Sequence, residues 1–346
     1  MRTIICNSQV PFEYGGAEIH ANALYGQLRQ HGEEVSLVQI PQQWEPRAEI
    51  IKGYMLWRLL DLTHTYNLLP VDRVICLKHP SYAVQHPYKI TWLIHQLRQV
   101  YDLYGTPFGF MGNTAEEREI CEAVTQMDTS TIGESKKIFA ISHNVADRLW
   151  RYNGLSAEVL YPPPAQDERL HAGEYGHYVL SVSRLTPIKR VDLLIRAMAL
   201  VRTPVRCVIA GTGEDTRRLH QLASRLHVTD RCQFLGFVEM NKLIELYANC
   251  LAVYYAPVDE DYGLATVEAF KSAKPVLTCT DSGGTLEFVT DGETGYVVDP
   301  AKPVELAHRL DELHNNASLA RRLGERGAEL VRDITWDTTI SRLLDA

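Results

Sequence analysis

Two carboxylates, Glu260 and Glu268, flank a glycine-containing turn in the stretch Val258-Asp-Glu-Asp-Tyr-Gly-Leu-Ala-Thr-Val-Glu268, with seven residues between them. The apolar run Cys250 to Pro257 precedes it and reads as a buried parallel strand. Leu264 to Ala273 reads as a short helix, and Pro275 to Cys279 as the next strand. Glu260 then sits in the loop at the carboxyl end of a strand, with Glu268 in the second turn of the following helix. Ligands of open α/β sheets bind at that edge. The helix start, Gly263, Leu264 and Ala265, offers backbone N–H groups that suit an anion such as a diphosphate. One acid can hold a sugar hydroxyl and the other a ribose hydroxyl, which is the chemistry of a nucleotide-sugar site. A solvated loop acid and an exposed helix acid are the plainer alternative, since most carboxylates lie on the surface. Asp259 and Asp261 also spell an Asp-x-Asp pattern that hard oxygens could turn into a magnesium or manganese site.

Cations come from a second strand end. Tyr178 to Arg184 runs into Leu185-Thr-Pro187-Ile-Lys189-Arg190 and then a helix, and Pro187 suits a helix start. Lys189 and Arg190 in a first helical turn would oppose the helix dipole. That placement makes sense opposite a diphosphate; solvated surface cations are the alternative. Glycine pairs occur at Gly15-Gly16, in the loop Phe12 to Glu18, and at Gly283-Gly284, where backbone N–H groups can approach a phosphate or sugar. Either pair alone is also compatible with a plain turn. Val208-Ile-Ala-Gly211-Thr-Gly213 follows a strand, but Thr216 stands where a dinucleotide fingerprint needs its third glycine. His95 directly follows the strand-like Ile90–Ile94, and His79 follows Arg73–Leu77. Either could handle a proton or a sugar hydroxyl, and either could be a structural histidine, His79 more so. No zinc-ligand spacing and no Gly-x-Ser-x-Gly elbow appears.

Alternating elements must position these residues. Thr3–Cys6, Val35–Ile40, Arg73–Leu77, Ile90–Ile94 and Ile138–Ile141 read as strands, and Ala17–Arg29, Glu49–Leu62 and Asn144–Tyr152 as helices, the first closed near Gly32. Arg98–Thr114, rich in Tyr, Phe and Gly, reads as a long loop, often a functional feature. Tyr161 and the three prolines 162–164 mark a stiff boundary. Beyond it the alternation restarts with strands Tyr178–Val182, Val205–Ala210, Cys250–Ala256 and Pro275–Thr278 and a helix Val191–Val201, and the chain closes on a helix Thr335–Leu344. Two α/β domains follow, each a Rossmann-like doubly wound parallel sheet, facing an interdomain cleft. Their expected bounds are 1–164, with 334–346 packing back on it, and 165–333.

The 346 residues are 45% apolar, enough for two cores, and the net charge of −8 argues against a nucleic-acid partner. The seven cysteines are odd in number and scattered without a Cys-x-x-Cys pair, which fits buried thiols in a reducing compartment. No leader-like apolar region opens the chain and no window is apolar enough for a membrane span, so a cytoplasmic location is expected. Peripheral membrane contact stays open.

Taken together, these residues resemble the retaining glycosyltransferases of family 4, which have the GT-B fold. The likeness covers most of the chain and is strongest from Tyr178 to Pro300. Ser183-Arg184 through Lys189-Arg190 is similar to the family's phosphate clamp, and Glu260 with Glu268 to its paired glutamates. Ser282-Gly-Gly284 with Glu287, then Asp291 to Gly295, resembles the segment that follows. Gly15-Gly16-Ala17 is similar to the N-terminal glycine loop, His95 to a histidine facing the donor sugar, and Phe234 to Val238 to the strand and turn touching the base. The chain departs from the family at Asp261 and Tyr262, where a small residue and Phe are usual, and at Arg190, where Gly is usual.

The resemblance implies a nucleotide-diphosphate sugar donor, UDP- or GDP-linked, bound by the C-terminal half. It implies a glycan or lipid-linked acceptor on the N-terminal half. Arg184 and Lys189 would neutralise the leaving diphosphate, Glu268 would hold the ribose, and Glu260 and His95 would orient the sugar. With two cations in the clamp, no metal or other cofactor is required. The Arg98–Thr114 loop and the Glu49–Leu62 helix, with Trp57, are expected acceptor contacts. A sugar-nucleotide epimerase of similar architecture and a non-catalytic nucleotide-sugar-binding subunit are the rival classes.

Overall fold

The computed structural model describes residues 1–13 and 15–346; Tyr14, in the first glycine loop, lies outside the described residues. The chain divides into two compact units, one of residues 1–165 with 336–346 and one of residues 166–335.

The first unit is built on strands β1 (Arg2–Gln9), β2 (Glu34–Pro41), β3 (Arg73–Cys76), β4 (Lys89–Leu93), β5 (Lys137–Ala140) and β6 (Glu158–Val159). They form one parallel sheet in the order β2-β1-β3-β4-β5-β6. Every residue of β3 and β4 is buried, as expected of strands covered on both faces. The helices here are α1 (Gly16–Gln30), α2 (Ala48–Arg58), α3 (Ala115–Gly133) and α4 (His143–Asn153). Ser142 caps α4 by accepting from Val145 N–H, and Gly154 ends it in the left-handed conformation. α3, not anticipated from sequence, starts at Thr114, whose side chain and that of Glu117 close a capping box. α2 stops at Arg58, short of the expected Leu62. There the Asp61 carboxylate accepts from Thr63 N–H at 2.9 Å, a local bond that competes with the helix.

The second unit carries strands β7 (Tyr178–Val182), β8 (Arg206–Ala210), β9 (Cys232–Gly236), β10 (Ala252–Tyr254), β11 (Val276–Cys279) and β12 (Gly295–Val298). The order β12-β11-β10-β7-β8-β9 is again wholly parallel. Helices α5 (Val191–Met198), α6 (Thr216–Arg225), α7 (Met240–Asn249), α8 (Leu264–Lys271), α9 (Pro303–Asn315) and α10 (Ala317–Leu330) accompany it. Val179, Leu194, Ile195, Ile209, Leu277 and Leu306 belong to its apolar core. β10 is shorter than its apolar run: past it Tyr255 N–H still donates to Leu277 O at 3.0 Å, and Val258 N–H then donates to Ile188 O at 2.9 Å.

The chain ends in α11 (Trp336–Leu344), which belongs to the first unit. Trp336 Nε1 donates to Pro164 O at 2.9 Å, and the Arg73 guanidinium donates to Leu344 O at 2.9 Å. Pro162, Pro163 and Pro164 are all buried, so this segment is a packed surface for α11 as well as a stiff stretch of chain. All seven cysteines are free thiols, six of them buried. No helix among the described residues is long and apolar enough to cross a membrane.

Candidate functional site

The carboxyl edge of the second sheet assembles most of the candidate residues. β7 runs into Ser183 and Arg184, then into a 3-10 turn over Pro187–Lys189. Two glycines let this segment lie against the end of β8. A Cβ on Gly211 would stand 1.9 Å from Ser183 O, and one on Gly213 would stand 2.2 Å from Leu185 O. Those glycines, read from sequence only as a failed dinucleotide fingerprint, make room for the clamp loop. Leu185 is buried beneath that loop and Arg184 is exposed on it.

Lys189 and Arg190 do not sit in the first turn of a helix, contrary to expectation. Lys189 ends the 3-10 turn, and Arg190 is the N-cap of α5 with φ +51°. A left-handed backbone favours glycine there. Arg190 is instead fixed by its side chain, which donates to Ala256 O at 2.8 Å, to Pro257 O at 2.9 Å and to both Asp281 oxygens at 2.7 and 2.8 Å. Its guanidinium laces the loops together, and it is Lys189 of the pair that meets Glu260. Lys189 Nζ lies 2.5 Å from Glu260 Oε2 and 3.2 Å from the Tyr255 hydroxyl.

Glu260 lies in the loop after β10, half-buried. Two backbone hydrogen bonds pin the loop. Asp259, with φ +41°, donates its N–H to Asp281 O at 2.9 Å. Glu260 O accepts from Gly284 N–H at 2.7 Å. A Cβ on Gly284 would stand 2.5 Å from Asp261 O, so the second glycine pair is a close-packing device under the Glu260 loop. Gly263 then caps α8 with φ +82°, and Leu264 and Ala265 open the helix. Glu268 follows on α8, and Tyr247 of α7 donates to its Oε2 at 2.8 Å. Burial pushes the Glu268 carboxyl up to about 7, and the Tyr247 bond offsets only part of that. Val238 lies half-buried just past β9, beside the exposed Phe237.

The remaining candidates lie in the first unit. His95 follows β4, half-buried, with Nδ1 2.7 Å from Gln96 O. A carbonyl only accepts, so Nδ1 carries the proton, and in the neutral ring Nε2 is the acceptor. His79 is a structural histidine. It is buried, its Nδ1 is 3.1 Å from the Tyr54 hydroxyl, and burial pushes its pKa down to about 3. Beside it, buried Asp128 accepts from the hydroxyls of Tyr54, Tyr82 and Tyr101. Gly15 N–H donates to Glu18 Oε2 at 3.0 Å, and Glu18 Oε1 pairs with Lys78 Nζ at 2.6 Å. A Cβ on Gly16 would meet nothing within 4 Å among the described residues. Trp57 is fully buried and donates to Ser8 Oγ at 2.9 Å, which removes it from the expected acceptor contacts.

A polar surface cavity of about 580 Å³ lined by Asp291, Tyr296, Arg309, Glu312 and Arg322 contains none of these residues. Its Arg309 already pairs with Glu312 at 2.9 Å and lies 4.3 Å over the Tyr296 ring. Among the described residues no group of three or more His, Cys, Asp or Glu is arranged to hold a metal ion.

Residues 165–330 match the family model of glycosyl transferases group 1. An uncharacterized glycosyltransferase of Methanocaldococcus jannaschii is 24% identical over 88% of this chain and 88% of its own. A D-inositol 3-phosphate glycosyltransferase of Salinispora tropica is 33% identical, over 51% of this chain and 39% of its own. Among solved structures, sucrose-phosphate synthase from Thermosynechococcus elongatus superposes with a TM-score of 0.77 at 16% identity, covering 100% of this chain and 98% of its own. HepE of Anabaena, solved in complex with UDP-glucose, gives 0.74 at 16% identity, covering 99% and 98%. These structural likenesses show the fold, that of the GT-B glycosyltransferases. The chain is a glycosyltransferase, and its second unit belongs to the glycosyl transferases group 1.

Proposed function

We propose that the protein is a retaining glycosyltransferase that moves a sugar from a nucleotide-diphosphate sugar to a hydroxyl of a glycan or lipid-linked acceptor without a metal. The observation that carries this reading is the Lys189–Glu260 pair, 2.5 Å apart, with Glu268 on the helix that follows Glu260. One cation for a diphosphate and two acids for sugar and ribose hydroxyls stand on one sheet edge. Neighbours of the same fold have been solved with UDP and with UDP-glucose, which favours a uridine donor among UDP- and GDP-linked ones.

Transfer breaks the bond between the anomeric carbon and the diphosphate oxygen and makes one to the acceptor oxygen on the same face. The acceptor proton goes to the departing phosphate oxygen. Lys189 and Arg184 stabilise the charge that grows there. Removing one such contact typically costs about 2.7–4 kcal/mol in the transition state. Gly263, Leu264 and Ala265 present the start of α8 to the diphosphate, and Val238 contacts the base. Glu268 binds the ribose and Glu260 orients the sugar.

Lys189→Ala tests this. Turnover should fall about 10²–10³-fold with an unchanged circular-dichroism spectrum, and chelator should leave wild-type turnover intact. Near-wild-type turnover in Lys189→Ala would overturn the clamp. Complete loss with chelator, restored by magnesium, would transfer the chemistry to a metal at Asp259 and Asp261.

A further inference from the structure

Tyr254 closes β10 and Tyr255 follows it directly. Both reach the same turn. The Tyr254 hydroxyl donates to the backbone carbonyl of Arg190 at 2.9 Å, while the Tyr255 hydroxyl accepts from Lys189 Nζ at 3.2 Å. One tyrosine fixes the backbone of the turn and the other fixes its charge. Tyr255 is only 8% exposed, and its N–H donates to Leu277 O at 3.0 Å, so neither ring nor backbone is loose.

An ammonium carries three N–H donors on a flexible stem. Glu260 and Tyr255 engage two of them at Lys189. When Glu260 turns to a sugar hydroxyl, its hold on Lys189 weakens. The Tyr255 hydroxyl also hydrogen-bonds the Glu260 side chain, so it ties both members of the pair and stays on Lys189 when Glu260 turns away. We propose that Tyr255 is a positioning residue for the transfer, its hydroxyl holding the Lys189 ammonium where the diphosphate of the donor binds. The inference rests on the nucleotide-sugar reading of this site. Tyr255 acts through Lys189 and touches no reacting atom.

The test is a double-mutant cycle read as nucleotide affinity. UDP, GDP and ADP are titrated calorimetrically into wild type, Tyr255→Phe, Lys189→Ala and the double variant. Base and ribose contacts keep the affinity of Lys189→Ala measurable, and the matching nucleoside serves as control. Tyr255→Phe should weaken the preferred diphosphate roughly threefold to tenfold and leave the nucleoside unchanged. In the Lys189→Ala background the same substitution should have a clearly smaller effect. Wild-type diphosphate affinity in Tyr255→Phe, alongside a loss in Lys189→Ala, would overturn the role of Tyr255 and leave the clamp standing. Equal losses with and without Lys189, or weakened nucleoside, would show that the hydroxyl acts through Glu260 or on the fold instead, and would overturn its role on Lys189. Wild-type affinity in Lys189→Ala, or no binding of any diphosphate to wild type, would remove the clamp and the Tyr255 role together.

Discussion

Glu268 is an acid that its surroundings alter strongly. Burial raises its carboxyl to about 7 from an ordinary value of about 4.3. The uncharged acid is thus favoured in the folded chain. The stability this group contributes is present at acid pH and lost as pH rises through about 7. A ribose binds the other way, because hydroxyls donate more strongly to a carboxylate than to an acid. Nucleoside diphosphate affinity should therefore rise between about pH 6 and pH 8 in the wild type. Glu268→Gln should remove that part of the slope and leave only the ligand's own titration. Equal slopes in the two proteins, measured calorimetrically, would contradict the ribose assignment. The placement of the two glutamates, on a loop and on the helix after it, was legible because strand, glycine turn and helix each leave a local pattern. The partner of Lys189 was not. Sequence put it against a helix dipole, whereas folding puts it against Glu260, and Arg190 against Asp281, across separations of 71 and 91 residues. Trp57 was misjudged for a related reason, since an aromatic residue looks the same in sequence whether it faces an acceptor or Ser8.

Loops at the strand ends set the geometry of the site, and glycines allow them to touch. Gly284 has no charge and no hydroxyl to offer, yet a methyl group there would meet the Asp261 carbonyl at 2.5 Å. Both partners are backbone on short pinned loops, so the Glu260 loop must move. Gly284→Ala should lower turnover by about tenfold to a hundredfold, the usual cost of a displacement near 1 Å, with the protein still folded. Wild-type turnover in that variant would mean that the loop tolerates displacement and that Glu260 does not need its observed position. The strands were the most readable elements, since fully buried parallel strands are continuous apolar runs. α3 was the least readable. Its capping box lies directly after a long irregular stretch, and its threonines and glutamates blur the apolar face. The clamp-supporting glycines Gly211 and Gly213 were visible as residues, but their purpose depends on β7 and β8 lying side by side.

Two parallel six-stranded sheets, one per unit, account for the paired alternation of apolar runs along the chain. Each has its ligand edge at the carboxyl ends of its strands, where function concentrates in this class of fold. The two edges are unequal in content. In the second unit the edge carries Arg184, Lys189, Glu260 and Glu268, and in the first it carries His95 and the Glu18–Lys78 pair. That asymmetry puts the charged groups of the proposed donor site on the second unit. Net charge, −8 overall, adds nothing to this division, because the decisive charges are local. The central claim is that the second unit binds a nucleotide-diphosphate sugar through Lys189. Thermal unfolding with UDP, GDP, ADP, their common sugar conjugates and NAD tests it most directly. Ligand at about a hundred times its dissociation constant adds roughly 2.7 kcal/mol, a readable shift. A rise in melting temperature with one nucleotide-sugar series, diminished in Lys189→Ala, is the expected result; no rise with any of them, or a rise with NAD alone, would contradict it.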